Sequence, residues 1–213
     1  MFRTLILSLL ITLPIQAGWL SRQSPHPRYQ ELKEGDIVFQ DTGGAQGAAV
    51  RAATNSPYTH CGVLFKKAGT LYVLEAVQPV KVTSFLAWKQ RSKVFHARRL
   101  KDGSQLTPAA FQKALKWGTA QLGKNYDFHF KWGDDELYCS ELVWKIYHQA
   151  AGITLCNPKS FQSYFLKDPA VTRIVRQRYG AVANLPKNMP VVAPSDLAAS
   201  PLLAEVPRRQ KKL

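Results

Sequence analysis

Apolar positions along this chain change period once. Up to about Leu100 they fall in short apolar or alternating stretches of strand length, and from Thr107 onward they recur at helical spacing. Gly35-Asp36-Ile37-Val38-Phe39 reads as a turn entering a strand, and Gly43 to Asn55 is a small-residue segment compatible with a helix and broken at Pro57. Cys61 to Lys66 and Leu71 to Val77 read as strands joined through Lys67-Ala68-Gly69-Thr70, a hairpin signal, and Val80 to Thr83 extends the same sheet. Ser84 caps a short helix through Arg91, and Val94 to Leu100 alternates like a further strand. Thr107 and Pro108 form an N-cap and first-turn pair opening a helix through Leu122, with Gly123 as its stop. Leu142, Val143, Ile146, Tyr147 and Ala150 share one face of a helix from about Cys139 to Ala151, with Gly152 just past its end. Asp168 to Tyr179 predicts another helix, with Pro169 near its start. Strands followed by helices, without regular alternation, predict an α+β domain in which an antiparallel sheet packs against helices.

The two ends differ from this core. Arg3, the apolar run Leu5 to Leu13 and the small-residue ending Ile15-Gln16-Ala17 make residues 1–17 a secretory signal cleaved near Ala17. The run is shorter than the ~20 residues of a spanning helix, and no later stretch approaches that length without charges. The expected product is a soluble exported protein, with the bacterial periplasm as its compartment; an uncleaved signal anchor is the alternative. Residues 18–31 read as a linker, 32–183 as the core domain and 184–213 as a Pro-rich basic tail, since five of the thirteen prolines lie after Asn184 and the chain ends in Arg208-Arg209-Gln210-Lys211-Lys212-Leu213.

Charge and cysteine content narrow the chemistry. The net charge of +15 implies attraction to polyanions. Export directs that attraction toward an anionic cell-wall polymer or a membrane surface; no aromatic-basic motif supports a nucleic-acid partner. Three cysteines, Cys61, Cys139 and Cys156, are an odd number for an oxidising space, so at least one thiol is unpaired. Whether Cys61 pairs with Cys156 stays open. Cys139 is the candidate free thiol, because it stands where an amphipathic helix begins, and the N–H groups and positive dipole end there favour thiolate.

A nucleophilic thiol needs a base. His26 lies in linker, His148 more than two turns along the thiol's own helix, and His96 inside an alternating strand, while His129 precedes the helix and could line a cleft. His60 enters a strand in Tyr58-Thr59-His60-Cys61-Gly62-Val63, a place that holds an imidazole rigidly, and is the best candidate. Glu75 is the only acid in the apolar strand one hairpin away, and a charge there needs a partner, so it is read as the acceptor that orients His60. An edge-strand glutamate facing solvent is the alternative; Asp36 is a rival acceptor whose place after Gly35 favours a turn role. The histidines show no ligand-like spacing, so neither metal nor cofactor is expected.

Taken together, these segments resemble a family. Gly123-Lys124-Asn125-Tyr126-Asp127-Phe128 followed by Tyr138-Cys139-Ser140-Glu141-Leu142-Val143 is similar to the nucleophile segment of NlpC-type papain-like cysteine hydrolases, Gly-x-Pro-Tyr-x-Trp and then Asp-Cys-Ser-Gly-Leu-Val. Gly35-Asp36-Ile37-Val38-Phe39 and His60-Cys61-Gly62-Val63 resemble that family's Gly-Asp-hydrophobic and His-Val-Gly strands. Here the histidine strand precedes the cysteine, the order of the circularly permuted branch with its YiiX-like and YebB-like exported proteins and, more distantly, the lecithin:retinol acyltransferase relatives. The resemblance covers about Leu32 to Tyr179. It implies a permuted papain-like catalytic domain with Cys139 as nucleophile at a helix N-terminus, His60 as base and Glu75 as its orienting acid. It also places Tyr126 in the substrate cleft, where it helps bind the oxyanion. Tyr58, two residues before His60, and Tyr138, next to the thiol, are further lining candidates, Tyr58 having a core role as its alternative. Asn125 for the usual proline is a minor departure. Glu141, in place of glycine, is expected to reshape the cleft rim.

The implied chemistry is acyl transfer through an acyl-enzyme. The leading substrate is a peptide amide of the cell wall, and the runner-up an acylated lipid. A silent binding module is the non-enzymatic alternative. Oligomeric state is not specified by the sequence.

Overall fold

The structure, a computed structural model, describes residue 29 and residues 31–207. The signal segment, His26 and the terminal basic run lie outside the described residues. The strands are β1 (Ile37–Gln40), β2 (His60–Lys67), β3 (Thr70–Glu75), β4 (Lys81–Ser84), β5 (His96–Leu100), β6 (Lys159–Ser160), β7 (Pro190–Val191) and β8 (Leu203–Glu205). The α-helices are α1 (Gly44–Thr54), α2 (Phe85–Gln90), α3 (Pro108–Thr119), α4 (Cys139–Ala151), α5 (Pro169–Tyr179) and α6 (Pro194–Ala198).

Six strands form one antiparallel sheet in the order β4-β3-β2-β1-β5-β8, and β6 pairs with β7 in a separate ribbon. Strand alternation sorts the side chains onto two faces. Ile37, Phe39, Cys61, Val63 and Leu74 join Ala114 of α3 and Leu142, Val143 and Ile146 of α4 in the main core. Val38, Leu64 and Val73 point the other way, against Phe85, Trp88 and Phe95. A third cluster, with Ala49, Val171, Ile174 and Val175, joins α1 to α5.

Local signals explain most boundaries. Ser84 Oγ accepts from Ala87 N, Thr107 Oγ1 from Ala110 N and Asp168 Oδ1 from Ala170 N, each satisfying an otherwise unpaired amide in a first helical turn. Gly152 closes α4 at φ 68°, in the left-handed region. The helix expected to reach Leu122 ends earlier, at Thr119. Beyond it Gln121 N and Leu122 N bond three residues back, to Gly118 and Thr119, and Gly123 N turns to Val80 O.

The segment after Asn184 corrects the reading of a tail. It folds into the domain: Val191, Val192, Leu197 and Leu203 belong to the main core, and β8 adds the edge strand beside β5. Its prolines stand where no ladder or helix amide is needed, Pro190 in a two-residue ribbon, Pro194 in the first turn of α6 and Pro201 in a turn. High proline content here marks short elements that cover the core.

Gly62 is required by close approach of β3. A Cβ at this position would meet Val73 Cγ1 at 2.4 Å and Leu74 O at 2.9 Å, and a backbone carbonyl in a ladder cannot move aside. Gly62→Ala is therefore expected to destabilise the fold by about 2 kcal/mol or more, read by urea unfolding. Unchanged stability would refute the tight β2–β3 packing.

Candidate active site

Helix α4 starts with Cys139, and α4 packs on β2, so its first residue comes to the end of the sheet where β2 begins with His60. Both residues are 4 % exposed. His60 Nε2 lies 2.6 Å from Glu75 Oε2, and Glu75 has no exposed surface. Its second oxygen, Oε1, accepts from Thr83 Oγ1 and from Arg91 Nη2, each at 2.5 Å. Gly62 leaves room beside Glu75, since the missing side chain would start 3.4 Å from the Glu75 Cβ.

The electrostatics follow from these contacts. Burial works against ionising Glu75, but hydrogen bonds from His60, Arg91 and Thr83 outweigh it and bring the carboxyl down to about 2. Burial also opposes a charged imidazole at His60; the hydrogen bonds and charges of Cys139 and Glu75 overcome it and push His60 up to about 9. The Cys139 thiol is held well below its ordinary value, first by a hydrogen bond from the Cys61 thiol, with His60 and the Cys61 N–H adding to it against burial. These directions describe a thiolate facing an imidazolium that is backed by a carboxylate.

Residues 31–207 match the profile of the permuted papain-like amidases, YaeF/YiiX, the C92 peptidase family. The chain belongs to this family. It is 35 % identical over 206 residues to an Escherichia coli protein named YiiX and described as uncharacterized, covering 96 % of this chain and 94 % of that protein. It is also similar to a crystal structure titled metalloprotein yiiX from Escherichia coli, with a TM-score of 0.78, 35 % identity, and coverage of 84 % of this chain and 98 % of that one. The permuted papain-like fold and the classification as a papain-like cysteine hydrolase follow from the family. Among the described residues of this amidase, no group of three or more His, Cys, Asp or Glu side chains is placed to hold a metal ion.

The amidase distributes its other expected site residues unevenly. Tyr126 lines a cavity next to Cys139, and its hydroxyl accepts from Gln46 Nε2 at 2.9 Å. Tyr138 forms part of the same wall, its hydroxyl accepting from Val192 N at 3.2 Å. Tyr58 does not line the cavity, contrary to expectation. It precedes β2 and packs its ring 5.4 Å from Phe39 and 5.1 Å from His96. Glu141 is a second correction, because it does not reach the cleft rim. As the third residue of α4 it folds back over the first turn, accepts from Tyr138 N and Gly133 N, and pairs with Lys145 at 2.8 Å. Burial pushes it up to about 7, with Lys145 pulling the other way.

The remaining candidates have structural surroundings. Asp36 takes both a bidentate contact from Arg99 and the Lys33 amide. His129 Nε2 sits 3.2 Å from the Arg178 carbonyl, and His148 stacks on Trp144. Cys61 and Cys156 are both free thiols, with Cys61 against Cys139. Sequence reading missed Thr83 and Arg91, the partners of Glu75, and also Gln46 and Arg178, which meet across 132 positions when Arg178 Nη2 donates to Gln46 Oε1 at 2.5 Å. The usable signal was Gln46, a long polar side chain in a segment of small residues.

Because the Cys139 thiol is lowered and His60 raised, alkylation of Cys139 by iodoacetamide is expected to stay nearly flat from about pH 6 to about pH 8. Glu75→Gln removes the carboxylate that supports the imidazolium and should slow alkylation at the acid end by about tenfold, with peptide mass spectrometry assigning the modified thiol. A wild-type rate climbing about tenfold per pH unit across this range, as an ordinary thiol does, would contradict the ion pair.

Proposed function

We propose that this protein is an exported amidase of the cell envelope that works through Cys139, His60 and Glu75. The observation that carries the reading is the buried His60–Glu75 contact at 2.6 Å, with Cys139 also interacting with the imidazole. The Cys139 thiolate adds to the amide carbonyl, and the oxygen that becomes negative faces the first N–H groups of α4 and the Tyr126 hydroxyl. Gln46 donates to that hydroxyl, which leaves the phenolic proton free to point at the developing charge. His60 gives its proton to the departing nitrogen as the C–N bond breaks, leaving an acyl thioester on Cys139. Water then attacks with His60 as base, the C–S bond breaks, and the carboxylic acid leaves with the thiolate restored. Glu75 keeps the ring oriented and its charged form stable throughout.

Export is supported by residues 1–17, and the net charge of +15 suits an anionic envelope surface. Wall peptides are one amide class in that compartment, and acylated compounds are another.

Cys139→Ala and His60→Ala are each expected to lower amide turnover at least about a thousandfold, while Glu75→Gln costs about ten- to a hundredfold. Circular dichroism separates chemical loss from unfolding. Turnover that survives Cys139→Ala would overturn the assignment.

A further inference from the structure

Tyr126 from the loop before α4, Gln46 from the first turn of α1 and Arg178 from the last turn of α5 line the wall beside Cys139. They form a chain of hydrogen bonds. Arg178 Nη2 donates to Gln46 Oε1 at 2.5 Å, and Gln46 Nε2 donates to the Tyr126 hydroxyl at 2.9 Å.

The first link fixes the direction of the second. A guanidinium donates and never accepts, so the oxygen of the Gln46 amide has to face Arg178. The amide NH2 is then left for Tyr126, whose oxygen must accept, and the phenolic proton is the donor that remains. The reversed amide would set two donors against each other at Arg178 and bring a carbonyl oxygen to Tyr126 that takes the phenolic proton for itself. In the observed order that proton is directed to Cys139, with which the hydroxyl also interacts.

Both ends of the chain are held. The Arg178 guanidinium lies over the rings of Phe128 and Phe130 at 5.5 and 5.1 Å. Tyr126 is buried, its amide donates to Gln78 Oε1 at 2.6 Å, and it bridges to Leu137, two residues before the thiol. A donor oriented before the reaction stabilises a developing charge without having to reorganise. A hydroxyl proton rotates to suit its surroundings, so what surrounds it decides whether that orientation exists.

Resting on the hydrolase reading above, we propose that Gln46 and Arg178 are positioning residues: Arg178 fixes the direction of the Gln46 amide, and the amide aims the Tyr126 proton at the oxygen that becomes negative. Neither has to touch the substrate. As the Cys139 sulfur bonds to the carbonyl carbon, the C=O electron pair moves onto oxygen, and the phenol turns its hydrogen bond to that oxygen while keeping its proton. The pair returns when the leaving group departs with its bonding electrons.

The test compares two reactions of Cys139 in the full chain: acetylation by p-nitrophenyl acetate, which passes through an oxyanion, and alkylation by iodoacetamide, which does not. Their rate ratio removes any change in the thiolate itself. Tyr126→Phe should lower the acylation-to-alkylation ratio by about a hundredfold, the usual loss for one oxyanion donor. Gln46→Glu keeps the size of the side chain and its contact with Arg178 but has no N–H, so it accepts the phenolic proton and should lower the ratio about as far as Tyr126→Phe. The double variant should be no slower than Tyr126→Phe alone, because the two residues act through one hydroxyl. Arg178→Met, which leaves the amide free to turn, should also lower the ratio, and Arg178→Lys, a donor without an acceptor, should retain most of it. Circular dichroism checks the fold of each variant, and the Arg178 pair carries the test if Gln46→Glu does not fold.

A wild-type ratio in Gln46→Glu, or equal ratios in Arg178→Met and Arg178→Lys, would overturn the relay while acetylation of Cys139 still upheld the hydrolase. Further loss in the double variant, or a fall in alkylation parallel to that in acylation, would overturn it as well, since Gln46 would then act on something other than the Tyr126 proton. Failure of the wild-type protein to acetylate at Cys139 would overturn the hydrolase reading and the relay with it.

Discussion

A carboxylate with no exposed surface must be fully partnered, and Glu75 meets that demand from three directions. His60 on β2, Thr83 on β4 and Arg91 at the end of α2 converge on its two oxygens. These contacts tie β3, the edge strand β4 and the end of α2 to the strand that carries the imidazole. They also set the charge state of that imidazole, and with it the state of the thiol beyond it. Removing the carboxylate would leave the ring buried without the charge that holds its proton.

Two buried glutamates show how surroundings divide labour between identical side chains. Glu75, with cationic and hydroxyl donors on both oxygens, is brought down to about 2, whereas Glu141 is dominated by burial and rises to about 7. Glu141 and Lys145 bind the loop before α4 to its first turn; Lys145 also reaches Asp134 at 2.8 Å and lies over Trp132. The start of α4, and so the thiol, is positioned by this second pair. One glutamate fixes the charge on the imidazole and the other holds the element that carries the thiol.

An apolar gap between α1 and α5 borders Cys139. Small side chains on α1, Ala49 and Ala53, keep that gap open opposite the branched residues of α5. The composition of α1, unremarkable as a helix signal, makes sense as the wall of a space.

Much of this was readable along the chain because it depends on local chemistry. Caps at Ser84, Thr107 and Asp168, the hairpin at Lys67 to Thr70 and the stop at Gly152 are choices that neighbouring residues make among themselves. Cys139, His60 and Glu75 stood out for the same reason, being reactive or charged side chains in segments that would otherwise be apolar. Tyr58 and Glu141 were misjudged because adjacency in sequence does not say which way a side chain turns. The proline-rich end was misjudged because composition reports the regularity of the backbone and not what its apolar residues cover. Gln46 with Arg178, and Glu75 with Arg91, could be joined only by folding, since contacts between distant positions are decided by packing that no local pattern encodes. The sequence alone marked most of the elements and the reactive or charged side chains among them; the tertiary structure decided which of them meet, because burial and pairing are properties of the assembled core.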